Sequence, residues 1–356
     1  MKKSEIANRI FNNRRNNAEP GHRDTAAVLL FIFLFPYIVS FFFGNAGKGM
    51  EAEDTGKGME AGDAAGRMEE TAENEASELF REDMEKAEFI VCNTTAAGTE
   101  KMPLETYLVS RLPATIPMEY EMEALKAQAV VLRTELLRRY YDTNDEPGED
   151  GKRYIYVESD IFQTDGTYYE KCKEAVGSTR GMYLTYESYP IHAPYFAVSA
   201  GATRNGNEVF GNGDYAYLKS VICGRDFTSE DYIYNLRVSR DIFMEKLYEI
   251  EPEASWEEGK TLEEAFPVTK DRAGYVAEVD MGGGNVSGER IRKAFLLSSS
   301  CFEWKEEGND VVIKTKGVGH GLGLCQYGAN EAARKGSDFI DILNYFFSGV
   351  AIEKTE

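Results

Sequence analysis

Of 356 residues only three are histidine, two tryptophan and ten proline, and none of the five cysteines has another three positions on. Without a CxxC pair the chain has neither a zinc-ribbon pattern nor a thioredoxin-type redox motif. Basic residues are also short: 40 Lys and Arg stand against 61 Asp and Glu, a net charge of −21. That balance argues against a nucleic-acid binder, which needs a basic face to displace phosphate counterions. What is there points to a folded protein. Hydrophobic residues make up 42% and aromatics 12%, with 21 Tyr and 20 Phe, enough apolar surface to offset ordering entropy. The length allows one large domain or two medium ones.

The charge is uneven. Residues 1–24 hold six Lys and Arg and three Asp and Glu, and residues 25–43 (TAAVLLFIFLFPYIVSFFF) hold none. A helix of that length spans about 28 Å, close to a hydrocarbon core. A transmembrane helix over 25–43 is the expectation, with a cleavable signal peptide as the alternative. Lys2, Lys3, Arg9, Arg14, Arg15 and Arg23 precede it, so the positive-inside rule puts residues 1–24 in the cytoplasm and the rest outside. Residues 44–88 read as an acidic, low-complexity stalk. GKGMEA stands at 47–52 and again at 56–61, and 14 acidic residues face five basic ones between Lys48 and Glu88. Self-repulsion keeps such a segment extended and solvated.

The globular domain is placed at 89–350. FIVCNTT reads as a first strand, and Leu104–Tyr107 opens a short helix. A long helix is expected from Pro117 to about Tyr141, with Leu125, Ala129, Leu132 and Leu136 forming one buried stripe. Glu119, Glu121 and Glu123 would then sit at its positive end. Strand-like runs (YIYV, GMYLTY, PIHAPYFAVS, VVIKTKG), a helix over 238–250, a glycine turn in GYVAEVDMGGGNVSG and two closing helices near 326–335 and 339–347 complete the pattern. Strands and helices mix without a βαβ rhythm, so the class is α+β, one mixed domain after a membrane anchor and stalk.

Tyr107 followed by PMEYEMEALKAQAVVLRT (117–134) resembles the signature helix of the stage II sporulation protein D family, which includes the amidase-enhancer proteins. AVGSTRGMYL (175–184), PIHAPYFAVSAGAT (190–203), EVF and YLKSV (208–221), VSGERIRKAFLLSSSCF (286–302) and GHGLGLCQYGANEAARKG (319–336) follow in the family's order, covering about residues 89–350. The resemblance implies a membrane-anchored, extracytoplasmic lytic transglycosylase that cuts peptide-free glycan strands of peptidoglycan. In sporulating cells such proteins work with a cell-wall amidase and a membrane scaffold during engulfment. The chemistry needs one carboxyl group of raised pKa, first as acid to the leaving oxygen and then as base to the MurNAc 6-hydroxyl.

The family's catalytic glutamate stands two residues before the proline and eight before the glutamate of EALKAQA; that place is Thr115. A threonine hydroxyl is no general acid near pH 7. Either Glu119, Glu121 or another acid substitutes, or the protein keeps a glycan-binding fold and has lost cleavage. Helix-end charge is the plainer account of Glu119 and Glu121. By the same resemblance Lys126, Gln128, Arg133, His320, Gln326 and Tyr327 are candidate substrate-binding residues. Lys126 and Arg133, seven apart, share a helix face and suit sugar hydroxyls or lactyl carboxylates. The glycines of GHGLG would let the backbone approach a ligand, and Cys325 replaces a serine common in the family. Some relatives hold zinc through His and Cys in the loop after the signature helix; residues 142–163 have neither, so no metal and no cofactor are expected. The odd cysteine count leaves disulfides and buried thiols both open.

Overall fold

The computed structural model describes residues 87–355, apart from 96–97, 144–146, 160–165 and 258. The expected membrane span, the cytoplasmic segment and all but the end of the stalk lie outside the described residues. Among the described residues no helix is long and apolar enough to cross a membrane.

The fold is mixed α+β, as expected. Strands β1 (Phe89–Thr95), β2 (Gly98–Pro103) and β3 (Arg153–Glu158) form a sheet in the order β2-β1-β3. β1 and β3 run parallel, so the chain must cross over between them. The crossover carries α1 (Leu104–Arg111), a 3-10 turn at Leu112–Ala114 and the central helix α2 (Met122–Thr143). Then come α3 (Gly166–Ser178), β4 (Met182–Tyr186), β5 (Tyr189–Pro190), β6 (Tyr195–Phe196) and α4 (Gly206–Phe210). β7 (Ile233–Ser239), α5 (Arg240–Ile250), α6 (Leu262–Ala265), β8 (Val268–Lys270), β9 (Val276–Asp280), β10 (Asn285–Ser287) and α7 (Gly288–Phe295) follow. β11 (Phe302–Glu307), β12 (Asp310–Lys316), β13 (Leu324–Cys325), α8 (Gln326–Arg334), α9 (Phe339–Phe346) and β14 (Ala351–Lys354) end it.

Helix α2 is the axis. Its Leu125, Ala129, Leu132 and Leu136 pack into a core with α1, α3 and the first sheet. Its Ala124, Ala127, Val130 and Val131 pack on the other side against β4, β6, β13, α8 and α9. One apolar stripe was expected; two are present, because the small and β-branched residues between the leucines are buried too. A third core joins β7, α5, β9, β11, β12 and α7 around Phe243, Phe266 and Trp304.

The helix begins five residues later than its pattern predicts. Residues 115–121 are turns: Tyr120 N–H bonds Pro117 O at 3.2 Å, and Glu121 N–H is taken by Asn330 Oδ1 at 2.8 Å. Glu119 and Glu121 therefore precede the helix, and Glu123 is the acid of its first turn. PIHAPYFAVS supplies only the end of β5 (Pro190) and the short β6, with Pro194, which lacks an N–H, between them. All five cysteines are free and buried.

A titratable pair links α2 to the segment before β6. His192 Nδ1 lies 2.9 Å from Glu135 Oε1, which also accepts the Ala193 N–H. Burial alone would raise the Glu135 carboxyl; His192 and these hydrogen bonds outweigh it and hold it below 4.5. Burial would lower His192, but Glu135 outweighs it, Arg138 opposes and Asp142 assists, and the imidazole ends above 6.5. The raised His192 adds stability that is full below about pH 6.5 and fades as pH climbs through its folded value. The lowered Glu135 adds stability present above about pH 4.5 and lost on acidification. The thermal midpoint is expected to fall between about pH 6 and pH 9, and His192→Gln to flatten that slope. An equal slope in the variant contradicts this.

Candidate functional site

The candidate site is built around the loop that carries Thr115, where the sequence resemblance implies an acid. Thr115 is buried, and its hydroxyl donates to Leu112 O at 2.8 Å. Its carbonyl accepts from Gln326 Nε2 at 2.6 Å, and the same amide nitrogen lies 3.0 Å from Gln128 Oε1. Farther along the loop, Lys171 Nζ donates to Met118 O at 2.7 Å and Tyr120 O at 2.6 Å. Asn330 of α8 secures Glu121, as described. Residues 115–121 are thus held by α2, α3 and α8 at once. Gln128 Nε2 is buried and has no partner among the described residues.

Several candidates fall elsewhere. Glu119 faces outward and accepts the Tyr168 hydroxyl at 2.8 Å. Glu121 is half exposed, 3.7 Å from Arg334 Nε. Lys126 pairs with Glu123 at 2.6 Å, one turn back on the same helix. Arg133 is wholly buried, and its Nε and Nη2 grip both oxygens of Glu105 at 2.8 and 2.7 Å. Its Nη1 donates to Met182 O at 3.0 Å. Arg133 therefore knits α2 to α1 and β4 and presents no open face to a sugar. Gln326 reaches Thr115 directly, and Gln128 reaches it through Gln326. They are buried, so they position the loop.

His320 belongs to another polar cluster. Its Nδ1 accepts the Leu322 N–H at 3.1 Å, and its ring packs against Phe196 at 5.7 Å. Burial pushes its pKa down to about 4, with Glu289 opposing and Arg292 assisting. The ring is neutral at pH 7 with its proton on Nε2. Near it, Arg204 pairs with Asp271 at 2.6 Å, and Glu289 bonds Arg292 at 3.0 Å and Ser300 at 2.6 Å. The glycines beside His320 serve packing rather than ligand approach. A Cβ on Gly319 would meet Phe196 at 2.6 Å, on Gly321 Tyr275 at 2.6 Å, and on Gly323 Pro194 O at 2.0 Å.

Tyr120 and Tyr327, both half-buried, keep part of their rings accessible beside the loop. Tyr327 shares a 2.9 Å hydrogen bond with Thr228. Tyr120 is pushed far up by burial first, then by Cys325, Tyr327, Asp231 and Asp226, so it stays a phenol. Those last two acids are the residues that sequence reasoning missed. Asp231 is exposed, and partial desolvation and then Glu230 push its carboxyl up. Burial pushes Asp226 up as well, against hydrogen bonds from Cys325 and Ser199. No motif marks either residue; only folding the 223–232 loop over the start of α8 brings them near. A concavity on α5, lined by Asp241, Met244, Glu245, Tyr248 and Glu249, includes none of these residues.

The chemistry open to this arrangement is recognition rather than proton transfer at Thr115. Two phenols can pack on sugar faces and donate hydrogen bonds, on a backbone held from three sides.

Comparison with known proteins adds to this geometry. A family model described as "Stage II sporulation protein" matches residues 92–186. The chain is 32% identical over 281 residues to stage II sporulation protein D of Bacillus subtilis (strain 168), covering 75% of this chain and 79% of that one. The protein of the same name from Bacillus amyloliquefaciens is 32% identical over 284 residues, 75% and 78% of the two chains. The amidase enhancer of Bacillus subtilis (strain 168) is 23% identical over 293 residues, 68% of this chain and 39% of that protein.

Proposed function

This chain belongs to the stage II sporulation protein D family, and from that premise we propose that it acts on peptidoglycan during sporulation. It holds peptide-free glycan strands against the 115–121 loop and presents them to a cell-wall amidase and its membrane scaffold. Residues 25–43 anchor it in the cell membrane as a single span, with residues 1–24 in the cytoplasm and the domain outside. The similarity to an amidase enhancer supports the amidase partnership.

The observation that carries this reading is the state of Thr115. The loop is clamped by Gln326, Lys171 and Asn330, while the position of the acid holds a buried hydroxyl already spent on Leu112 O. A transglycosylase must protonate a leaving glycosidic oxygen; this hydroxyl is no general acid near pH 7, and the exposed Glu119 is engaged by the Tyr168 hydroxyl. Binding survives the loss of an acid because it rests on shape and donors rather than proton transfer.

Co-sedimentation with glycan strands stripped of stem peptides tests the reading. The full chain is expected to bind them, and Tyr327→Ala to weaken binding about tenfold, the loss of roughly 1.4 kcal/mol. No retention of strands by the native protein contradicts it.

A second reading has its own observation. Asp231, an exposed acid near Tyr120, has its carboxyl pushed up by partial desolvation and by Glu230, the direction a general acid needs. In that case strands are cleaved and Asp231→Asn abolishes cleavage while leaving binding intact.

A further inference from the structure

Outside the glycan-facing residues, one cluster gathers metal-type donors. Cys223, Asp226 and Cys325 are all buried, and a sulfur or carboxylate oxygen from each lies within 4.8 Å of the others. The backbone holds two of them: Cys223 N–H bonds Gly201 O at 2.9 Å, and Asp226 N–H bonds Cys223 O at 3.2 Å. Cys325 ends β13 and caps α8, its Sγ accepting the Gly328 N–H at 3.4 Å. Asp226 Oδ2 takes the Ser199 N–H at 2.7 Å and the Cys325 thiol at 3.0 Å.

The second observation is the other carboxylate oxygen. Asp226 is wholly buried, yet its Oδ1 has no hydrogen-bond partner among the described residues. A buried polar atom without a partner is costly, and a buried charge more so. Gly328 lies against both donors: a Cβ there would stand 3.3 Å from Phe346 Cζ, 3.5 Å from Cys325 Sγ and 3.6 Å from Asp226 Oδ1.

We propose that Cys223, Asp226 and Cys325 bind one divalent transition-metal cation of the zinc type. Two sulfurs select a soft or borderline ion over calcium or magnesium, and the carboxylate suits zinc. A tetrahedral zinc site sets its donors roughly 3.5–3.8 Å apart, so this cluster closes on an ion with small movements. On binding, both thiols release their protons to solvent, two metal–sulfur bonds and one metal–oxygen bond form, and water takes the fourth position. Nothing is oxidised or reduced. The site carries one net negative charge, from two thiolates and a carboxylate against a dication.

The ion ties the 223–226 turn to β13, and the next residue, Gln326, holds Thr115. The metal thus braces the loop at the candidate site, though its binding does not depend on what that loop recognises. It lies apart from residues 142–163, where the sequence holds no His or Cys.

Cobalt titration of the chelator-stripped full chain tests the proposal. Thiolate-to-cobalt charge-transfer absorption is expected to saturate at about one equivalent per chain and to vanish when zinc is added. Cys325→Ser should abolish it, and Asp226→Asn should weaken binding at least about tenfold, the smallest loss seen even for outer-shell partners. The native titration decides the matter should a variant fold poorly. Absence of the absorption in the native protein overturns the proposal. So does a Cys223–Cys325 disulfide in the purified native chain, which would leave three free thiols of the five.

Discussion

Replacing Glu105 by alanine is expected to cost about 3–5 kcal/mol of stability, with the lower end favoured because the carboxylate is 21% exposed. Arg133 is wholly buried, and its guanidinium has both Glu105 oxygens as its charge partner. Truncating Glu105 leaves a cation in the interior with only the carbonyls of Met182 and Val176. The Gly181 N–H, 3.4 Å from Glu105 Oε1, loses that acceptor as well. Urea unfolding measures the loss. The glycan affinity of the folded fraction should be unchanged, because Arg133 joins α1, α2 and β4 from within. A variant of native stability with lost glycan affinity would return Arg133 to the substrate.

Gly323→Ala is expected to be comparably damaging, about 2–5 kcal/mol, from two sources that add. Its φ of 73° lies in the left-handed region, which L side chains adopt at a cost of roughly 1–2 kcal/mol. The new methyl carbon would also stand 2.0 Å from Pro194 O. The obstacle is backbone, and it cannot swing aside: Leu324 N–H bonds that same carbonyl at 2.9 Å, and β13 pairs with β6 beside it. A drop in thermal midpoint measures the effect, whereas a near-native midpoint would mean that the turn relaxes freely.

Much of the fold was legible because its signals are local. The leucine stripe of α2, the strand FIVCNTT and the helix at Phe339–Phe346 follow from periodicity alone. The start of α2 was not, because Asn330, 209 residues further on, takes the Glu121 N–H. The second buried face of α2 was hidden for a similar reason: Ala124, Ala127 and Val130 are neutral in pattern until α8 and α9 cover them. At the site, the motifs marked Thr115, Gln128 and Gln326, which do meet. They also marked Arg133 and the GHGLG glycines, which serve packing in this chain. Asp226 and Asp231 lie in a loop without a motif, and only its path over α8 makes them chemistry.

The most direct test of the account is product analysis of peptide-stripped glycan strands incubated with the native full chain and with Thr115→Glu. Mass spectrometry reads the 1,6-anhydro-MurNAc ends that a transglycosylase leaves. Strands bound but uncut by the native protein, with anhydro ends from Thr115→Glu alone, are the predicted result. Anhydro ends from the native protein would contradict it and turn attention to Asp231.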